Sequence, residues 1–118
     1  MITGGDSGIG RAVAIAYARE GADVALSFLV GEQEDAEDTA GLVEQAGRHA
    51  ALLPGDLTDR TVAENLPTRA VHELGGLDVL INNAGYQMAP AYVFLAAPAE
   101  ASYVSGTVLG VTGGKPVF

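Results

Sequence analysis

The 118-residue sequence contains no cysteine, a single lysine and five arginines, and each shortage closes a class of function. Without thiols there are no disulfides and no thiolate-ligated metal. Fifteen acidic residues against six basic ones leave a net charge of −9. A surface of that sign repels phosphate backbones, so no nucleic-acid partner is expected. No apolar run approaches the ~18 residues needed to cross a bilayer, and the N-terminus shows no basic-then-apolar leader. These absences predict a soluble, cytoplasmic protein with no membrane partner.

What is present argues for a packed core. Hydrophobic residues make up 48% of the chain and charged residues only 18%, a balance that favours folding over disorder. The length suits one domain that buries about two-thirds of its unfolded surface. Apolar runs alternate with helical periodicities, the pattern of a parallel sheet flanked by helices. Met1-Ile2-Thr3 reads as the tail of a strand. A helix follows over Ile9–Glu20, with Ile9, Val13, Ala16 and Tyr17 on one face and a stop at Gly21.

Asp23–Leu29 suits a buried strand, and Gln33–Ala46 a second helix with Ala36, Ala40 and Val43 inward and Gly47 at its end. His49–Leu53 is a third strand, closed by Pro54-Gly55. Thr58 or Asp59 caps a third helix, in which Val62, Leu66, Ala70 and Leu74 share a face and Pro67 is a local conflict. Gly75-Gly76 ends that helix, and Leu77–Asn82 is a fourth strand. The remainder predicts one helix around Pro90–Ala97 and one strand around Thr107–Thr112.

The segment Thr3-Gly4-Gly5-Asp6-Ser7-Gly8-Ile9-Gly10 carries the most chemistry. Glycines at 4, 8 and 10 remove the Cβ atoms that would block a tight turn and a close backbone approach to a pyrophosphate. The helix after it turns unpaired N–H groups and the positive end of its dipole toward that anion. Gly55-Asp56-Leu57 follows the third strand and Asn82-Asn83-Ala84-Gly85 the fourth. All three segments occupy the carboxyl ends of strands, the edge where an open parallel sheet binds its ligand.

With these three motifs in this order and spacing, the chain resembles the short-chain dehydrogenase/reductase family. That family's cofactor loop has the form TGxxxGxG, and its fourth strand ends in NNAG. The resemblance implies a Rossmann-like, doubly wound α/β fold and a nicotinamide cofactor, NAD or NADP. It implies that Gly4, Ser7, Gly8, Ile9 and Gly10 wrap the pyrophosphate. Asp56 would accept from the adenine amino group, with the Leu57 backbone beside it. Asn83, Ala84 and Gly85 would line the adenosine-ribose side and steady the central strand. An acid or an arginine about 20 residues beyond the glycine loop distinguishes the two cofactors. Here Ser27-Phe28-Leu29 offers neither, so the preference stays open. The nearby Glu32, Glu34, Asp35, Glu37 and Asp38 read as a solvated first helical turn.

The same resemblance exposes a gap. The family's proton step uses a tyrosine with a lysine four residues later, and a serine that holds the substrate oxygen. Tyr17, Tyr86, Tyr92 and Tyr103 are followed at that spacing by Gly21, Pro90, Ala96 and Thr107. An unassisted phenol with a pKa near 10 is ionised about one part in a thousand at pH 7, a deficit of about 4 kcal/mol. Lys115 reads as a tail charge, and His49 and His72 as surface residues, so no catalytic residue is assigned. Near Gln87–Pro90 the chain passes from the family's fourth-strand loop directly to its last helix. The reading is one domain over 1–118, with a cofactor half over 1–88 and a helix–strand remnant over 89–118. Its last strand is expected beside the fourth, giving the order 3-2-1-4-5. The function implied is that of an oxidoreductase fragment that binds NAD(P) and has lost hydride transfer. The alternatives are a non-catalytic dinucleotide-binding module and a non-functional truncated product.

Overall fold

The computed structural model describes residues 1–85, and Met1–Ala84 form one compact unit. The predicted Pro90–Ala97 helix, the Thr107–Thr112 strand and its place in the sheet lie outside the described residues. Three parallel strands, β1 (Ile2–Thr3), β2 (Val24–Phe28) and β3 (Ala50–Pro54), are hydrogen-bonded in the order β1-β2-β3. Helix α1 (Gly8–Arg19) connects the first pair of strands and α2 (Gln33–Gln45) the second, while α3 (Arg60–Leu74) follows β3. The register pairs Ile2 with Leu26, Thr3 with Ser27, and Val24–Phe28 with Ala50–Pro54.

Strand alternation explains the layers. Successive side chains point to opposite faces, and all five β2 residues are buried, so β2 is covered on both sides. Val24, Leu26 and Ile2 pack with Ala14, Ala18, Ala40 and Val43 of α1 and α2. Ala25, Ala51, Leu53 and Met1 pack with Leu66 and Ala70 of α3. A strand buried on both faces needs a continuous apolar run, which is what Val24–Phe28 supplies apart from Ser27. This is the Rossmann-like parallel α/β arrangement expected from the sequence.

Two expectations require correction. Helix α1 does not bury Ile9, Val13, Ala16 and Tyr17 as one face. Ile9 is 42% and Tyr17 40% exposed, Val13 is only partly buried, and the buried positions are Gly10, Ala14 and Ala18. The reason is steric: the short loop brings α1 so close to the sheet that only small side chains fit between. The fourth segment, Leu77–Asn82, reaches β1 on the side away from β2 but forms one parallel bridge, Ile2 to Ile81, rather than a full strand. Strand β1 offers two residues, so the ladder is short: the Thr3 amide donates to Ile81 O at 3.0 Å and the Ile81 amide to Met1 O at 2.9 Å.

The other elements match their sequence signals. Ala36, Ala40 and Val43 of α2 are buried as expected, joined by Thr39. Asp59, one of the two predicted caps, accepts from the amides of Thr61 and Val62 at the start of α3. Leu66 and Ala70 face inward, and Pro67 lies within the helix.

Candidate functional site

The glycine loop leaves the carboxyl end of β1 and enters α1, so its shape is set by how closely those two elements approach. A Cβ on Gly10 would overlap the Gly4 carbonyl oxygen and sit 2.7 Å from Asn83 Nδ2. Gly4 adopts a left-handed backbone, φ +62°, and a Cβ there would crowd Ala84 Cα and Asn83 Nδ2 at 3.3 Å. The structure therefore brings Gly4, Gly10, Asn83 and Ala84 together, four residues that the sequence suggested from two distant motifs.

The loop is held from both flanks. Asn83 Nδ2 donates to Thr3 O at 3.1 Å and Gly4 O at 3.0 Å. The Gly5 amide donates to Ser27 O of β2 at 3.2 Å. Gly4 O and the Gly5 N–H belong to one trans peptide, whose carbonyl and amide point in opposite directions, so Asn83 and Ser27 grip the same plane from opposite sides. Thr3 Oγ1 accepts from the amides of Asn83 and Ala84, both at 3.0 Å. That hydroxyl fixes the Asn83–Ala84 backbone to the end of β1. On the third side, Thr39 Oγ1 donates to Asp6 O at 2.7 Å.

What remains open is the start of α1. Ser7 occupies the N-cap with extended backbone, yet its hydroxyl makes no capping bond. Gly8, φ +54°, has no atom of the described residues within 4 Å of where a Cβ would lie. Among the described residues no side chain caps the amides of the first helical turn, and the positive end of the helix dipole lies behind them. Ser7 and Ile9 are exposed beside it.

Asp56 and Leu57 lie at the carboxyl end of β3, on the same sheet edge but beyond β2. Asp56 is exposed, and its Oδ1 accepts from the Thr58 amide at 2.9 Å and the Thr58 hydroxyl at 2.8 Å. Those bonds, the amide's first, hold its carboxyl below the usual carboxylate range. The Leu57 side chain packs against the α3-side core. No described contact joins either residue to the glycine loop. Gly85 is exposed at the end of the described chain.

Between these motifs, Ser27 and Phe28 are buried and Leu29 exposed, so no charge occupies that place on β2. Glu32, Glu34, Asp35, Glu37 and Asp38 are all exposed around the start of α2. His49 and His72 are exposed as well. Tyr86, Tyr92, Tyr103 and Lys115 lie outside the described residues. Sequence reasoning placed Thr3 and Gly5 in the loop segment without giving them a role, and missed Thr39. Thr39 had a usable signal, since it stands on the apolar stripe of α2 between Ala36 and Val43, and a polar group on a buried stripe needs a partner.

Known proteins resemble this chain in sequence and fold. An uncharacterized oxidoreductase of Bacillus subtilis (strain 168), YhxD, is 60% identical over 89 residues, which are 75% of this chain and 30% of that protein. Another, YghA of Escherichia coli (strain K12), is 58% identical over 89 residues with the same coverage. The crystal structure of a short chain dehydrogenase from Burkholderia cenocepacia J2315 in complex with NADP superposes with a TM-score of 0.68 at 39% identity. It covers 71% of this chain and 34% of that one. The chain thus spans about a third of the length of these relatives. The pattern common to short chain dehydrogenases matches residues 1–103, so on sequence and fold together this chain belongs to the short-chain dehydrogenase family.

Proposed function

We propose that this chain binds a nicotinamide dinucleotide, NAD or NADP, with the pyrophosphate against the backbone of Gly4, Ser7, Gly8, Ile9 and Gly10. The observation that carries this reading is the uncapped start of α1, where Ser7 leaves the helix end free and Gly8 opens onto space. An anion is the natural occupant of such a helix end. The cradle fits the group because it exists only while Gly4 and Gly10 carry no Cβ. Asp56 would accept from the adenine amino group through its second carboxylate oxygen, with the Leu57 backbone alongside. Ala84 and Gly85 would line the ribose, and Asn83 would act by holding the loop, since both its Nδ2 hydrogens serve chain carbonyls.

The nicotinamide ring, when bound, supplies hydride donor or acceptor chemistry. This chain's residues supply the grip, and no tyrosine among the 118 has a lysine four positions on. We take hydride exchange with an alcohol or carbonyl carbon to be lost from this polypeptide, because the tyrosine–lysine pair that serves the hydroxyl proton in the family is not present in its sequence. That same observation favours a second reading, a non-catalytic dinucleotide-binding module. Titrating the chain with NADH and NADPH by nicotinamide fluorescence, then adding a panel of alcohols and carbonyls, tests both halves. Saturable binding without turnover is expected. Absence of binding refutes the first half, and steady oxidation of an alcohol refutes the second.

A further inference from the structure

We infer that Thr39, a residue of α2 outside the recognised motifs, is a positioning residue that aims the Ser7 amide out of the glycine loop. The inference rests on the reading of that loop as a pyrophosphate cradle. Thr39 is 0% exposed and Asp6 3%, and their bond, Thr39 Oγ1 to Asp6 O at 2.7 Å, joins positions 33 residues apart. Asp6 O and the Ser7 N–H are the two ends of one peptide plane, and no cis bond occurs among the described residues. In a trans peptide these groups point in opposite directions. Drawing the carbonyl inward to α2 therefore turns the Ser7 N–H outward, where no acceptor among the described residues meets it.

The two other holds on the loop do not perform this task. Asn83 and Ser27 grip the Gly4–Gly5 plane, and the chain between that plane and α1 is free to rotate unless Asp6 is held. Gly4 and Gly8, both at positive φ, flank this stretch and lower the barrier to such a rotation. The Thr39 hydroxyl is the one described side chain that bonds the Asp6–Ser7 peptide. A helix outside the glycine loop thereby governs one of that loop's donors.

The test compares the full chain with Thr39→Val, which keeps the shape and removes the donor, and Thr39→Ser, which restores it. Backbone relaxation by NMR on the ligand-free chain is the first readout. Thr39→Val raises the mobility of Asp6 and Ser7 while Gly4 and Gly5 stay ordered, and Thr39→Ser matches the parent. Equal order at Ser7 in all three chains overturns the inference, whether or not any dinucleotide binds. The second readout is affinity: Thr39→Val weakens NADH and ADP-ribose by about tenfold, the worth of one buried hydrogen bond, and leaves adenosine unchanged. Equal loss for adenosine and NADH indicates general loosening and also overturns it. Failure of the parent chain to bind NADH strikes the proposed function instead, and the relaxation data then decide the role of Thr39 alone.

Discussion

At the scale of single residues, the site is made of hydrogen-bonding roles divided between neighbours. Asp56 illustrates this: one carboxylate oxygen closes a turn on Thr58, and the proposed adenine contact falls to the other. Its carboxyl pKa lies below the ordinary value because the Thr58 amide and then the hydroxyl favour the charged form. A group whose pKa is depressed on folding contributes above its unfolded pKa, ~3.9 for aspartate, and the contribution fades as pH falls through the lower folded value. The turn is accordingly intact at neutral pH and loosens only in acid. Thr58→Ala removes the hydroxyl but keeps the amide, so the Asp56 pKa should rise part of the way toward the ordinary range. A carbon-detected NMR titration of the carboxyl measures this, and an unchanged midpoint would show that the hydroxyl bond has no weight.

At the scale of elements, caps and close approaches decide what the chain builds. Asp59 satisfies two of the orphan amides of α3, and its exposed position makes it a clean test. Asp59→Ala should cost about 1 kcal/mol of unfolding free energy, read as a lower urea midpoint at constant slope, whereas an unchanged midpoint would contradict the cap. This cap was legible beforehand as Thr58 or Asp59, since both precede a run with Leu66 and Ala70 at helical spacing. So were both motifs that meet at the loop, because glycine spacing and the Asn-Asn-Ala-Gly turn are local signals. The inward face of α1 was not. Hydrophobic periodicity selected Ile9 and Tyr17, but the approach of the helix to Gly4 leaves room only for Gly10, Ala14 and Ala18. That constraint is tertiary, and a rule that ranks residues by hydrophobicity passes over glycine and alanine. Thr39 was half legible: its place on the apolar stripe of α2 calls for a partner, but that partner is a backbone carbonyl 33 residues away, which no spacing within α2 reveals.

At the scale of the whole molecule, a sheet whose strand β2 is covered on both faces carries the glycine loop, Asp56-Leu57 and Asn83-Ala84 at the carboxyl ends of its strands, and packing fixes the loop through the close approach of Gly10 to Gly4. Strand β1 contributes only Ile2 and Thr3, yet it lies between β2 and the Leu77–Asn82 segment and carries Thr3, whose hydroxyl anchors Asn83 and Ala84. Loop and fold thus depend on the same few bonds. Under the proposed function, amides at the start of α1, where Gly10 seats closely on Gly4, hold the two-phosphate linker of a nicotinamide dinucleotide. The most direct measurement is calorimetric titration of NADH into the parent chain and into Gly10→Ala, with circular dichroism to show that the variant keeps its helices. The account predicts saturable one-to-one binding by the parent and at least a hundredfold loss in the folded variant, a difference of about 2.7 kcal/mol. Equal affinity in the two chains, or no heat of binding from the parent, would contradict it.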